Sequence, residues 1–148
     1  MFLIILLLVA ADQATKFLVR YFLDPGESVQ VLSFFSINHI QNPGIAFGML
    51  GNYGSLIVFV TTMVVFILIV AAMMVRNDGH MFWPLILLVA GSSGNLIDRF
   101  TRKSVTDFID FSYWPAFNLA DIFIVTGVIL LILALVLRPS KTGESPQA

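Results

Sequence analysis

The 148-residue chain contains no cysteine. That excludes disulfides, thiolate metal sites, a cysteine nucleophile and any lipid attached to cysteine. Charge is also scarce. Asp, Glu, Lys and Arg make up 11% of the residues, against about 25% in a soluble domain. The formal net charge is −1, so no basic surface points to nucleic acid. The two histidines, His39 and His80, lie far apart in different connecting segments. They cannot supply the ligands of a zinc hydrolase, and no His-Glu-x-x-His occurs. No metal or organic cofactor is indicated. What the chain does have is apolar: 58% of its residues are hydrophobic. At a length that allows one compact domain, this composition means an integral membrane protein with several spans.

Four stretches approach the roughly 20 residues a helix needs to cross a bilayer. They are Met1 to Val19, Ser55 to Val75, Phe82 to Phe100 and Ala120 to Leu137. The first resembles a signal-peptide core, but it lacks a positive leader and runs into Asp12 and Lys16 without a clear cleavage signal, so a retained span is expected. Helices satisfy their own backbone groups in lipid, and an all-α integral membrane protein with four transmembrane helices follows. The short connection Arg76–Met81 makes the second and third spans an antiparallel hairpin. Residues 20–54 carry turn signals at Pro25-Gly26 and Pro43-Gly44, with alternation from Ser28 to Leu32 between them. They read as a small β-rich segment at the membrane surface, between helices 1 and 2. With four spans this connection shares a face with residues 101–117. Residues 1–138 read as one domain and residues 139–148 as a polar, disordered tail. Charge bias does not orient the chain. Arg20, Arg99, Arg102 and Lys103 flank one face, and Arg76, Arg138 and Lys141 the other. Several of the first group lie beside acids, where they can serve a site instead of setting topology.

The polar residues within the apolar frame carry the functional signal, because an ionisable group near hydrocarbon is costly without a role. Asp12 and Lys16 are four apart on one helix face; a local ion pair and a site role are both consistent with that spacing. Asn95, Asp98 and Arg99 form a polar stripe behind Gly91 and Gly94, which allow close helix contact. A snorkelling helix end would explain the charges but not an asparagine with glycines deep in the stripe. Asn118 and Asp121 begin the fourth span, where a helix cap would account for one of them. Asp107 and Asp110 lie in Val105–Phe111, whose alternation also fits a strand with a solvated edge.

Serine chemistry needs a base. Gly91-Ser92-Ser93-Gly94 has a nucleophile-like pattern, but His80 lies at the other end of the third span, leaving only a Ser–Lys variant through Lys16 or Lys103. Acid–acid hydrolysis fits the inventory better. Two close carboxyls share one proton near neutral pH, so one can draw a proton from water while the other donates to the scissile carbonyl. Residue types alone leave Asp12, Asp98, Asp107, Asp110 and Asp121 as candidates. A proton-coupled transporter with Asp12 as shuttle is a competing class. So is an assembly subunit packing through Gly91 and Gly94.

Five stretches in order resemble the lipoprotein signal peptidase family, signal peptidase II. They are Asp12-Gln13-Ala14-Thr15-Lys16, Asn42-Pro43-Gly44-Ile45-Ala46-Phe47, Gly94-Asn95-Leu96-Ile97-Asp98-Arg99, Val105-Thr106-Asp107-Phe108 and Phe117-Asn118-Leu119-Ala120-Asp121. The resemblance implies an aspartyl endopeptidase of the bacterial inner membrane. Such an enzyme removes signal peptides from diacylglyceryl-modified prolipoproteins, cutting before the lipidated cysteine, and is blocked by globomycin-like peptides. It implies Asp107 and Asp121 as the catalytic pair. Asp12, Lys16, Asn42, Gly44, Asn95, Arg99, Asn118 and Ala120 are the implied substrate-binding and support residues. Asp98 is expected to be structural, paired with Arg99 or Arg102. Both termini are expected in the cytoplasm and the site on the extracytoplasmic face, among membrane lipids. The apolar 42–50 segment is expected to close over bound substrate as a lid.

Overall fold

The computed structural model describes residues 1–44 and 54–137. Four helices, α1 (Phe2–Phe22), α2 (Gly54–Met74), α3 (Gly79–Arg102) and α4 (Leu119–Val136), are each long and apolar enough to cross a membrane. Their ends differ modestly from those expected from hydropathy, for local reasons. α3 starts ahead of Phe82 because the Asp78 side chain caps it, accepting from the His80 N–H at 3.1 Å. It ends at Lys103, whose φ of 64° is left-handed, with Arg99 and Arg102 in the last turn against the negative helix end. α4 begins with a reciprocal capping box between Asn118 and Asp121.

α3 is the centre of the bundle and packs against each of the other three helices. Half of its span is buried, against 11% for each of the others, so α1, α2 and α4 turn most of their surface outward. Leu6, Phe59, Ile67 and Leu135 lie on that surface, as expected where hydrocarbon is the solvent. Ala72, Leu85 and Leu88 form a small apolar core with Leu68, Ile124 and Leu131 around it. Small residues bring α3 and α4 together. A Cβ at Gly91 would overlap the Ala120 carbonyl, and one at Gly127 would lie 2.9 Å from the Pro84 carbonyl oxygen.

Outside the bundle lies one four-stranded antiparallel sheet in the order β1 (Ser28–Leu32), β2 (Phe35–Asn42), β3 (Val105–Phe111), β4 (Trp114–Phe117). The expected β segment between α1 and α2 supplies β1 and β2. The connection between α3 and α4 supplies the other hairpin, so the two long connections meet through the β2–β3 pairing. Val105–Phe111 is indeed a strand, but not one with a solvated edge: β3 is paired on both sides, and Val105, Thr106 and Asp107 are buried. Phe34, Phe35, Phe111 and Phe117 make a run of ring contacts on the sheet. Asp110 accepts from Asn38 at 2.6 Å and from Ser36 at 3.5 Å. Buried His39 fastens the sheet to the bundle, its Nδ1 2.8 Å from the Leu23 carbonyl at the end of α1. The expected lid beyond Gly44 and the expected tail at 139–148 lie outside the described residues.

Gly91→Ala should destabilise the fold by about 1–3 kcal/mol through overpacking at the α3–α4 contact. Gly79→Ala, where nothing lies within 4 Å of the added Cβ, should be neutral or slightly stabilising. Thermal unfolding in detergent compares the two; equal melting temperatures would show that the close helix approach does not depend on Gly91.

Candidate active site

The site is assembled around a buried ion cluster. Asp12 and Lys16 are one turn apart on α1, and Lys16 Nζ lies 2.9 Å from Asp12 Oδ2, with neither side chain exposed. Lys16 crosses to α3, where Nζ donates to Asn95 Oδ1 at 2.9 Å and sits 3.3 Å from Asp98 Oδ2. Three oxygens thus surround its three donors. Among the described residues, none of its bonds goes to Ser92 or Ser93, so the geometry does not favour a Ser–Lys pair through Lys16. Asp12 reaches α4 as well, its Oδ1 accepting from the Ala120 backbone N–H at 2.9 Å. Gly94 makes room for this crossing, since a Cβ there would lie 2.5 Å from Asp12 Oδ2.

Asp98 is buried, and its partners differ from those expected. Its ion pairs are with Lys16 and, at 3.6 Å, with Arg20 Nη1, not with Arg99 or Arg102. It also accepts from the Thr106 N–H at 3.2 Å. The reason is helical geometry. Asp98 faces inward to α1 and β3, whereas Arg99 points about 100° around the helix, and Arg102, one turn further along, lies in the exposed last turn beyond the buried cluster. Three residues of this network were not singled out from the sequence as site residues. Gln13 Nε2 donates to Asp12 Oδ2 and the Gly94 carbonyl, each at 3.1 Å. Arg20 Nη1 donates to Thr106 Oγ1 at 3.0 Å. The available signal was the spacing of Asp12, Lys16 and Arg20, every fourth residue on one face of α1.

Above this cluster a layer of asparagines holds two carboxyls. Asp107, on β3, is 3% exposed. Its Oδ1 accepts from Asn118 Nδ2 at 2.6 Å and its Oδ2 from Asn42 Nδ2 at 2.8 Å. The β2–β3 register sets Ile40 opposite Asp107 and Asn42 opposite Val105, which makes Asn42 the diagonal neighbour of Asp107. Asp121, in the first turn of α4, accepts from Asn95 Nδ2 at 2.7 Å on Oδ1 and from the Asn118 backbone N–H at 3.1 Å on Oδ2. Asn118 therefore touches both acids: Nδ2 serves Asp107 while Oδ1 accepts from the Asp121 N–H at 3.1 Å. Burial pushes the Asp107 carboxyl above the usual carboxylate range, and the charge of Asp121 adds to that, while the Asn42 and Asn118 amides pull it back.

The remaining expected residues complete the rim. Gly44 has φ +78°, a region that favours glycine, and its N–H donates to Asn42 Oδ1 at 2.9 Å. Arg99 stands beside it, with Nε 3.5 Å from where a Gly44 Cβ would be. Buried Arg99 Nε has no hydrogen-bond partner among the described residues. Of the five acids considered from the sequence, Asp12 and Asp98 belong to the ion cluster and Asp110 bonds to Asn38 and Ser36. Asp107 and Asp121 share Asn118.

A bundle of four spans with two carboxyls at its junction with a sheet, Asp107 buried and Asp121 half-buried, defines a multi-pass membrane protein. A solved bacterial membrane enzyme, determined by the in meso method at 2.3 Å resolution, superposes with a TM-score of 0.83 at 31% identity, covering 99% of this chain and 93% of that one. The sequence model of the signal peptidase (SPase) II family matches residues 4–137. The lipoprotein signal peptidase of Moorella thermoacetica is 41% identical over 146 residues, 97% of each chain. That of Pelotomaculum thermopropionicum is 39% identical, covering 97% of this chain and 96% of its own. The chain belongs to the signal peptidase II family and is a peptidase.

Asp98→Leu removes one counter-ion from buried Lys16 and strands the Thr106 N–H. Breaking a buried ion pair by deleting one partner costs about 3–5 kcal/mol, so a marked drop in melting temperature is expected. An unchanged melting temperature would show that the cluster does not hold the fold.

Proposed function

We propose that the chain removes signal peptides from diacylglyceryl-modified prolipoproteins, cleaving before the lipidated cysteine, with Asp107 and Asp121 activating a single water. The observation that carries this reading is the shared asparagine: Asn118 bonds to both carboxyls at once. Family membership and the two cited relatives, both lipoprotein signal peptidases, support the substrate class.

Asp107, whose neutral form burial favours, serves as the acid, and Asp121, at the N-terminal end of α4, serves as the base. Water attacks the scissile carbonyl carbon as Asp121 takes its proton. Asp107 gives its proton to the carbonyl oxygen, and a gem-diol forms. In collapse the C–N bond breaks, Asp121 hands its proton to the departing cysteine nitrogen, and Asp107 recovers a proton from a gem-diol hydroxyl. One water is consumed, the products are a carboxylic acid and an amine, and both acids return to their starting states. Asp12, Lys16, Asn95, Asn118 and Ala120 support the pair. Asn42, Gly44 and Arg99 form the rim that meets the substrate backbone. Signal helix and acyl chains remain in lipid, while the peptide to be cut unwinds into a polar niche that hydrogen-bonds its freed backbone groups. In this reading residues 1–138 are one peptidase domain in the bacterial inner membrane. The sheet lies on the extracytoplasmic side and both termini are cytoplasmic. Globomycin-like peptides compete for the same niche.

In a cleavage assay with purified protein and a lipidated precursor, Asp107→Asn and Asp121→Asn should each lower turnover about 1,000-fold or more while melting temperature is kept, in line with loss of a positioned acid or base. Near-normal turnover in either variant would overturn the assignment.

The pH profile gives a second check. Asp107 acts as an acid, so activity is present below its raised pKa and is lost as pH climbs through it. The Asn42 amide lowers that pKa. Asn42→Ala should therefore move the alkaline limb of kcat/KM to higher pH, and a limb that stayed in place or moved down would contradict the role given to Asp107.

A further inference from the structure

Lys16 is wholly buried, yet among the described residues it bonds to neither Asp107 nor Asp121. Its contact with Asn95 gives it a function beyond neutralising two acids. An asparagine amide has an acceptor end and a donor end, which a half-turn about the last side-chain bond exchanges. A lysine nitrogen with its protons can only donate, so it accepts only the oxygen end of Asn95 as neighbour. With Oδ1 held at 2.9 Å by Lys16, Nδ2 is turned the other way, 2.7 Å from Asp121 Oδ1. The exchanged amide would set an NH2 group against Nζ and an oxygen against a carboxylate oxygen, two repulsive contacts in a site sheltered from water.

We propose that Lys16 is a positioning residue that keys the Asn95 amide so that one N–H donor is permanently aimed at Asp121 Oδ1, marking Asp121 as the carboxyl that takes the proton from water. This rests on the acid-pair reading above. The same cluster acts on Asp121 from a second side. Asp12, held by Lys16, accepts from the N–H of Ala120, the residue next to Asp121, so both the backbone and the side chain of the base are referred to one buried cation. Lys16 is itself fixed by acids from two helices, Asp12 on α1 and Asp98 on α3. An amide keyed in advance needs no reorganisation when charge moves during the reaction.

The test measures kcat and KM on a lipidated precursor. Asn95→Leu keeps nearly the same size and adds no charge, but it cannot donate to Asp121. It should lower kcat about 10- to 100-fold, the size expected for losing one hydrogen bond to a charged group, with KM unchanged, as for an interaction that acts on the transition state. Lys16→Met should lower kcat to a similar degree at unchanged KM, and in an Asn95→Leu background it should lower kcat no further. If Lys16→Met fails to fold, Asn95→Leu decides, because it leaves the Asp12–Lys16–Asp98 contacts in place. A wild-type kcat in Asn95→Leu, or full additivity of the Lys16 and Asn95 changes, overturns the proposal. That outcome with Asp107→Asn and Asp121→Asn still inactive removes the positioning role alone; activity in the aspartate variants removes the acid-pair reading itself.

Discussion

A buried cation between two buried acids sets the terms for the rest of this molecule. Lys16, Asp12 and Asp98 are fully withdrawn from solvent, and Asn95, Thr106, Asp107 and Asn118 are buried around them. Taking such charges out of water is tolerable only when geometry is good and the remaining donors and acceptors are used. Here they mostly are, and by groups from different elements: α1 supplies Asp12 and Lys16, α3 supplies Asp98 and Asn95, α4 offers the Ala120 N–H and β3 the Thr106 N–H. Helix packing in lipid has no hydrophobic driving force of its own, so close contacts and polar bonds decide which helices meet. The cluster thereby selects one arrangement of α1, α3 and α4, with Gly91 and Gly94 permitting the approach it requires.

The asparagine layer links that base to the two carboxyls, Asp107 and Asp121. Asn42, Asn95 and Asn118 each present an amide nitrogen to a carboxyl and have the amide oxygen occupied by a donor: the Gly44 N–H, Lys16 Nζ and the Asp121 N–H respectively. In every case the oxygen end is claimed by a group that cannot accept, so the orientation of the nitrogen end is fixed by chemistry and not by shape. A glutamine or serine could supply a donor, but not with both ends constrained at this short reach. The two acids differ only in what surrounds them. Asp107 comes from a sheet and takes its side-chain hydrogen bonds from two neutral amides, whereas Asp121 sits in the first turn of a helix and is served by a cation at one remove.

Much of this was readable in the chain, for identifiable reasons. The spans follow from apolar length, which is nearly unambiguous at this composition, and the acids stand out because so few charges exist. The short strands between α1 and α2 followed from alternation and from the turn residues that flank them. The β3–β4 hairpin was harder, because Val105–Phe111 mixes acids with aromatics and the reason for its burial lies in β2, more than sixty residues earlier by the Asn42–Asp107 contact. The partners of Asp98 could not be read locally. Two arginines stand close to it in sequence, yet Lys16 and Arg20 reach it from another helix, and a helical wheel gives the direction of a side chain without the identity of what it meets. The contact of Arg20 with Thr106 was hidden for the same reason, although the spacing of Arg20 from Lys16 marked its face of α1.

The placement of the acid pair follows from the substrate problem that the proposed reaction sets. A peptide leaving a membrane helix must expose backbone groups to be cut, and hydrocarbon offers those groups no partners. A site wholly inside the bundle would lack room for the unwound segment, and a site wholly on the sheet would lose the helix still in lipid. One acid on a strand and the other on the first turn of a span puts the reacting atoms at the boundary between these environments. It also explains why rigidity has to come from beneath. The sheet above is only partly covered and carries exposed Tyr113 and Trp114, while the bundle below holds the ion cluster. A carboxyl positioned by the sheet alone would drift with it; by sharing Asn118 with Asp121, Asp107 is referred to the same buried charges as its partner.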